Sequence, residues 1–441
     1  MHGANGAGWR RGGHRILLGP VEIAGYYAGL EAGLLELGVH ALAIDLDGNP
    51  FRYGPGGVRL PLVVRMAKRA RVGQRAASSA RVRRLLWVVA RIASHLLVLI
   101  WAIVRYDVFV FGFGTSFFRL RDLPLLRLLG KRIVFVFHGS DARPPYIDGV
   151  RVAPDRAPPI AELLLATSRM KESIRRIERY ADVVVAQPAF SHFFERPVVN
   201  FFSVGVPWRD QPAHETAVRS DDPVRILHSP SDPIVKGSAR IHEVIERLRS
   251  DGLNLELTEL RSVPNAVVLH RIATCDFMID QIYSDAPMVG FATEAAVAGK
   301  PAIVGGYAWP ENHRIIGSEA MPPVEECAPE LLADAIRHLV TNREHREALG
   351  ARAHTFVTGR WSGTAIAKRL LMLVDGSAPD EWLFDPKELR YLEGCGLSRE
   401  QARASVAAVV AAGGPAALCL SDKPELERRF LEFAIGPVAR N

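Results

Sequence analysis

The sequence predicts an α/β protein of two parallel-sheet domains facing each other across a cleft, with a small helical extension at the C-terminal end. Three observations carry that prediction. The 441 residues exceed what one hydrophobic core usually organises, so the chain is expected to divide. Short apolar runs of strand type alternate with helical stretches in both halves, the order that builds parallel sheets. Several of those runs end in Gly, His or Asp, and in open parallel sheets ligands bind just beyond the carboxyl ends of the strands.

Apolar residues make up 48% and charged residues 23%, the composition of a packed globular protein. Arg15 to Gly19 reads as a strand, Tyr26 to Leu37 as a helix stopped by Gly38, and Ala41 to Asp45 as the next strand. Asp107 to Phe111 runs into Gly112-Phe113-Gly114, and Lys131 to Phe137 into His138-Gly139-Ser140-Asp141. Ala181 to Val185 follows an amphipathic helix beginning near Ser168. The polar, proline-bearing stretch from Trp208 to Pro223 reads as a linker.

A second round then begins. Val224 to His228, Leu253 to Glu259, Cys275 to Asp280 and Pro301 to Val304 read as strands. Ser238 to Ser250, Glu294 to Ala298, Glu330 to Leu339 and His345 to Thr355 read as helices. The expected division is an N-terminal domain over 1–207, a linker over 208–223, a second domain over 224–376 and an extension over 377–441. In that extension Ser398 caps an alanine-rich helix and a further helix runs from Lys423 to Phe433. It either recognises an acceptor or partner, or packs back on the N-terminal domain.

Cys275, Cys327, Cys395 and Cys419 stand far apart with no CxxC or Cys/His spacing. Neither a disulfide framework nor structural zinc is indicated, and a reducing cytoplasm is expected. Charge is unevenly spread: the formal net charge is +7, yet between Asp47 and Asp107 there are twelve Arg or Lys and no acidic residue. The basic stretch from Arg65 to Arg84 leads into an apolar run from Leu85 to Val104, long enough to raise the membrane question and interrupted by Arg91, Ser94 and His95. Three readings stay open. The run spans a bilayer, or it packs on a sheet with a solvated basic flank, or it lies against anionic headgroups as a peripheral contact. No aromatic-interleaved or zinc-finger pattern accompanies the charge, so nucleic acid is not the expected partner.

His228-Ser229-Pro230-Ser231-Asp232 followed by Lys236-Gly237, then Asp276 to Gln281, then Glu294-Ala-Ala-Val-Ala-Gly-Lys-Pro301 together resemble the nucleotide-sugar domain of GT-B glycosyltransferases. The likeness is nearest to the large retaining clan assigned to family four, whose EAxAxGxP signature the last segment resembles. Gly19 with the turn to Gly25, and His138-Gly-Ser-Asp141-Ala-Arg143, resemble that clan's N-terminal loops. The resemblance runs from about Arg15 to Val374 and implies two Rossmann-like domains.

It further implies transfer of a hexose-type sugar from a nucleotide diphosphate donor to an acceptor hydroxyl, with retention. No cofactor or metal beyond the nucleotide-sugar co-substrate is expected. Lys236 would meet the diphosphate, whose charge grows as the glycosidic bond breaks, with Gly237 and Gly19 lining the donor loops. Glu294 would accept hydrogen bonds from ribose hydroxyls, His138 would face the donor sugar, and Asp280 and Gln281 would reach its hydroxyls. Each has a plainer alternative: a solvated turn lysine, a capping carboxylate, a structural histidine, a loop-tying aspartate. Asp141 and Arg143 are explained by an internal salt bridge almost as well as by acceptor contact.

Two departures from the clan stand out. The glutamate expected eight positions before Glu294 is Ala286, with Asp285 beside it. The arginine expected shortly before the lysine has no counterpart, since Pro230, Ser231 and Asp232 fill that turn. The basic N-terminal half hints at a lipid-linked or anionic acceptor, with a soluble natural-product or polysaccharide acceptor left open, and at a cytoplasmic protein peripheral to the inner membrane face. A catalytically inactive homologue serving as a binding or membrane-surface partner subunit is the alternative.

Overall fold

The computed structural model describes residues 13–46, 60–76, 81–208 and 223–436. Apart from its two end residues, the expected linker 208–223 lies outside the described residues.

Two sheets organise the chain. The first contains β1 (Arg15–Leu18), β2 (His40–Ala43), β3 (Val108–Gly112), β4 (Arg132–Val136), β5 (Val183–Ala186) and β6 (Val198–Asn200), all parallel, with β12 (Leu383–Phe384) antiparallel at one edge. Its order is β12-β6-β5-β4-β3-β1-β2. The second sheet is wholly parallel, with order β11-β10-β9-β7-β8, from β7 (Val224–His228), β8 (Leu255–Glu259), β9 (Phe277–Gln281), β10 (Ala302–Gly305) and β11 (Glu325–Cys327). These are two Rossmann-like domains.

The central strands β3, β4 and β9 read as largely apolar runs because both of their faces are covered. On β4, Ile133 and Phe135 point to one side with Phe109, Phe111 and Phe117, while Val134 and Val136 point to the other with Leu30 and Leu34 of helix α1 (Tyr26–Glu36). All are buried, each such side chain contributing roughly 1.5–3 kcal/mol.

Two helices, α2 (Leu62–Ala76) and α3 (Arg81–Arg105), form the crossover from β2 to β3 and pack on each other. At their contact Gly73 lies so close to Trp87 that a Cβ would overlap the indole. The amphipathic helix expected near Ser168 is longer, Ile160–Tyr180, and starts directly after Pro158-Pro159. Its first two turns hold only Leu163 and Thr167 buried, so the apolar period is weak there.

The extension is less of an appendage than its sequence suggests. The helix Gly363–Asp375 leaves the second domain and lies along α1, and β12 then joins the N-terminal sheet. The helix Arg399–Gly413, with a Ser398/Gln401 capping box, packs on Ile160–Tyr180. Phe430 of the last helix, Pro424–Ile435, sits edge-on to Tyr146 at 5.8 Å. The tail is thus built onto the N-terminal domain.

The seam between α1 and Gly363–Asp375 depends on bare backbone: a Cβ at Gly33 would stand 2.0 Å from the carbonyl oxygen of Gly363. No rotamer relieves a clash with backbone. Gly33→Ala is therefore expected to cost about 1–3 kcal/mol in urea unfolding. Gly359→Ala, on an exposed helical site with open space, should be neutral or stabilising by up to about 1 kcal/mol. Equal stability of the two variants would refute this account of the seam.

Candidate functional site

The carboxyl ends of the two sheets face each other, and one buried ion pair joins them. Arg143, in the loop after β4, donates from Nε to Asp285 Oδ2 at 2.7 Å and from Nη1 to Asp148 Oδ1 at 3.1 Å. All three residues are buried. Arg143 and Asp141 thus do not form the internal salt bridge that their shared loop suggests, and Arg143 is turned to the other domain instead. Asp285 is correspondingly committed, so it does not replace the carboxylate lost at Ala286. Around this pair the chain is close-packed. The Gly396 N–H donates to the Tyr283 carbonyl at 2.8 Å, the Gly149 N–H donates to the Cys395 carbonyl at 2.8 Å, and Arg156 pairs with Asp232 across the domains.

In the second domain, β7 ends at His228, whose ring ties the next helix to the sheet. Its Nδ1 lies 2.8 Å from the Ile279 carbonyl and its Nε2 2.8 Å from Ser238 Oγ. Burial pushes its pKa down, so Nδ1–H donates and Nε2 accepts. A four-residue helix, Pro233–Lys236, is capped by Asp232 and ends at Gly237 with φ 75°. A Cβ there would lie 2.3 Å from Ile282, so glycine is required both by conformation and by space. The helix Ser238–Ser250 starts at once, and its first N–H groups lack intrahelical acceptors.

Lys236 Nζ donates to Asp280 Oδ1 at 3.1 Å from the end of β9. Asp280 is buried, and its Oδ2 has no hydrogen-bond partner among the described residues. Glu294, in the helix Phe291–Val297, accepts from Asn265 Nδ2 at 2.8 Å. Burial, and secondarily the charge of Asp280, raise its pKa to about 7. Lys236, Asp280 and Glu294 are therefore one electrostatic group. Gln281 is not aimed outward: its Nε2 donates to Ser284 Oγ at 2.7 Å, and Ser284 in turn holds Ala286. In this arrangement Gln281 helps fix the turn after β9.

Across the cleft, Gly19 sits with φ 120°, its Cα facing the Ile44 carbonyl so closely that a Cβ would lie at 2.1 Å. Its position is fixed by packing of the first loop. The His138 ring lies among Tyr26 (5.0 Å), Tyr27 (5.9 Å) and Phe201 (6.0 Å), with Nε2 3.4 Å from the Tyr27 hydroxyl. Burial lowers its pKa to about 3, so the ring is neutral at ordinary pH and acts only as a hydrogen-bonding group. Asp141 Oδ1 accepts from the backbone N–H groups of His138 and Gly139 at 2.9 and 2.8 Å. Burial raises its pKa to about 6, and Oδ2 has no hydrogen-bond partner among the described residues.

Asn265, Asp148 and the Gly394–Gly396 turn carry no sequence signal for this site, since each arrives by tertiary packing. Among the described residues Glu325, His338 and His345 could hold a metal ion, their ligand atoms lying within 4.8 Å of one another. Glu325 opens β11 at the amino-end rim of the sheet, opposite Lys236. Two surface hollows of about 240 and 270 Å³, lined for example by Arg390 and Arg429 and by Glu256 and Arg271, are likewise elsewhere.

No protein-family profile and no curated protein matches the chain. Solved structures do align. Anabaena Alr3699/HepE in complex with UDP-glucose covers 82% of this chain and 100% of its own at 13% identity and TM-score 0.44. The S. aureus MnaA–UDP co-structure covers 83% and 99% at 12% and 0.44, and the glycotransferase of kitacinnamycin 84% and 100% at 14% and 0.42. Likenesses this distant carry no argument here, and the fold stands on the topology above.

Two outcomes follow from the geometry. Glu294 has a folded-state pKa raised from 4.5 to about 7, so its contribution to stability is fully present below pH ~4.5 and lost as pH rises through ~7, a swing of ~3 kcal/mol. Glu294→Gln should therefore stabilise the ligand-free protein relative to the parent at pH 8 but not at pH 4.5, as read by denaturant titration at both pH values. A pH-independent difference would show that Glu294 titrates normally. Separately, Arg143→Met strands Asp285 and leaves Asp148 with only the longer Arg151 contact at 3.7 Å, and should lose about 3–5 kcal/mol. Asp285→Asn, which leaves Arg143 with Asp148, should lose clearly less in the same measurement.

Proposed function

We propose that the cleft binds a nucleotide diphosphate sugar and transfers the sugar to an acceptor hydroxyl. The observation that carries this reading is the Lys236–Asp280–Glu294 group at the carboxyl edge of the second sheet. It sets Lys236 against the buried Asp280 just before a helix, with Glu294, its pKa raised to about 7, within the field of the same Asp280. A diphosphate carries more charge than one carboxylate and would draw Lys236 from Asp280, with the first amides of Ser238–Ser250 completing the cradle. Ribose hydroxyls would add to the Asn265 donor and favour the ionised form of Glu294.

Retention, a hexose-type donor and independence from metal belong to the same proposal. They are supported by the clan resemblance. His138, whose pKa burial lowers to about 3, would be a weak base there, its Nε2 lying 3.4 Å from the Tyr27 hydroxyl. Catalysis would rest on proximity within the closed cleft and on stabilisation of the leaving diphosphate. The acceptor is proposed to be lipid-linked and the enzyme cytoplasmic, following the basic N-terminal half. That fold neighbours were solved with UDP or UDP-glucose agrees with this reading and carries none of it.

One observation favours a second reading, a binding subunit without turnover: Ala286 offers no carboxylate and Asp285 is spent on Arg143. A thermal-shift and turnover screen over UDP, GDP, ADP and TDP sugars separates the two. The transferase reading expects one donor to raise the melting temperature and turn over. Lys236→Ala should then lower kcat/KM about 100-fold or more, the scale of losing one preorganised charge partner in a transition state. A shift without turnover selects the binding subunit, and no shift from any donor sinks both.

A further inference from the structure

The crossover helices α2 and α3 present a surface that neither domain uses. Helix α3 is long and apolar enough over Leu85–Arg105 to cross a membrane by composition, yet only 28% of that window is buried. The burial is one-sided. Ser94, His95, Val98, Leu99 and Ala102 are buried, and Val98, Leu99 and Ala102 join the core beneath the first sheet. Leu85, Val89, Ile92, Leu96, Ile100 and Val104, at helical spacing on the other face, are 48–70% exposed. Leu62, Met66 and Val72 of α2 are exposed as well. An apolar stripe about 30 Å long in water is not the economy of a solvated surface helix.

Its placement is informative. A crossover helix runs against its strands, so α3 begins at their carboxyl side and ends, at Tyr106 beside His40, at their amino side. Only the last third of α3 enters the sheet's core, and the earlier turns pack on α2. The hairpin thus stands out by about 20 Å on the side of the sheet where the cleft lies. Around the stripe the charge has one sign: Arg65, Lys68 and Arg69 of α2 are wholly or partly exposed, and the sequence between Asp47 and Asp107 contains no acid. The side chains of Arg75, Arg81, Arg83 and Arg84, the rest of the expected basic patch, lie outside the described residues.

We propose that the α2–α3 hairpin seats the protein in the headgroup plane of an anionic lipid bilayer, the stripe immersed and the basic residues on the phosphates. Transmembrane insertion is incompatible with the face of α3 that belongs to the domain core. A second copy of the chain would bring the same basic flank against itself, whereas anionic lipid answers both the apolar face and the charge. This seat does not depend on the donor-site reading.

Flotation with phosphatidylcholine vesicles, with and without phosphatidylglycerol, tests it on the full chain. The parent should float with the anionic vesicles at least tenfold more than with neutral ones, and lose most of that in high salt. Val89→Glu/Leu96→Glu and, separately, Arg65→Glu/Arg69→Glu should abolish flotation while the melting temperature and donor binding persist. Hydrogen exchange on the parent, which needs no variant, should show vesicle-induced protection confined to α2 and α3. The proposal is overturned by flotation that survives the α3 changes, by equal binding to neutral vesicles, or by protection elsewhere. It is equally overturned if nothing floats and the α3 changes instead dissolve a dimer.

Discussion

A guanidinium can be held inside a protein only while its charge is answered, and Arg143 is answered from both domains at once. Asp148 belongs to its own domain and Asp285 to the other. Burying these groups costs several kcal/mol per ion before any attraction is counted, so the arrangement tolerates little change in geometry. That intolerance gives the cleft a defined shape. With Asp285 fixed, the turn that follows β9 is fixed through Ser284 and Gln281, and Asp280 and Lys236 stand on its near side. The tail is drawn into the same knot, for Cys395 lies in the Gly394–Gly396 turn and burial raises its thiol pKa to about 12. Its role there is structural.

The parts of this molecule that were legible in the sequence are those whose cause is local. Strands covered on both faces must be apolar throughout, and that is how β1, β3, β4 and β9 read. Lys236-Gly237 was legible because the left-handed turn after a short helix demands glycine, and Glu294 because a recognisable spacing follows it. What was not legible depends on a partner remote in sequence. Gly33 looks like any helical glycine until Gly363 is laid against it, and Asn265 becomes part of the site only because Glu294 is folded next to it. Asp285 was the instructive misplacement: beside Ala286 it invites a role in the site, but a buried arginine from the other domain takes it first.

The same distinction explains the helix Ile160–Tyr180 and the tail. Periodicity marks a helix where it is amphipathic, and the first turns after Pro158-Pro159 are largely exposed, so their apolar period fades before the helix does. In the tail the caps and alanines announce helices correctly, but nothing local says that two residues, Leu383 and Phe384, will close the edge of the first sheet beside β6. Edge strands this short leave no pattern of their own. Pairing there removes an open edge that would otherwise invite other strands.

For α3 the sequence left three readings because composition alone does not say which face of a helix meets protein. The fold bears on two of them: one face of α3 packs against the first sheet's core, as the crossover reading expects and as insertion across a bilayer does not, while the opposite apolar face stays exposed. A bare apolar face is a cost to the isolated protein, and a fold could have removed it by replacing a few leucines. That cost falls on one hairpin, on the cleft side, in the longest stretch without an acid. Apolar exposure and one-signed charge are independent properties of this hairpin, and the proposed anionic bilayer would answer both at once.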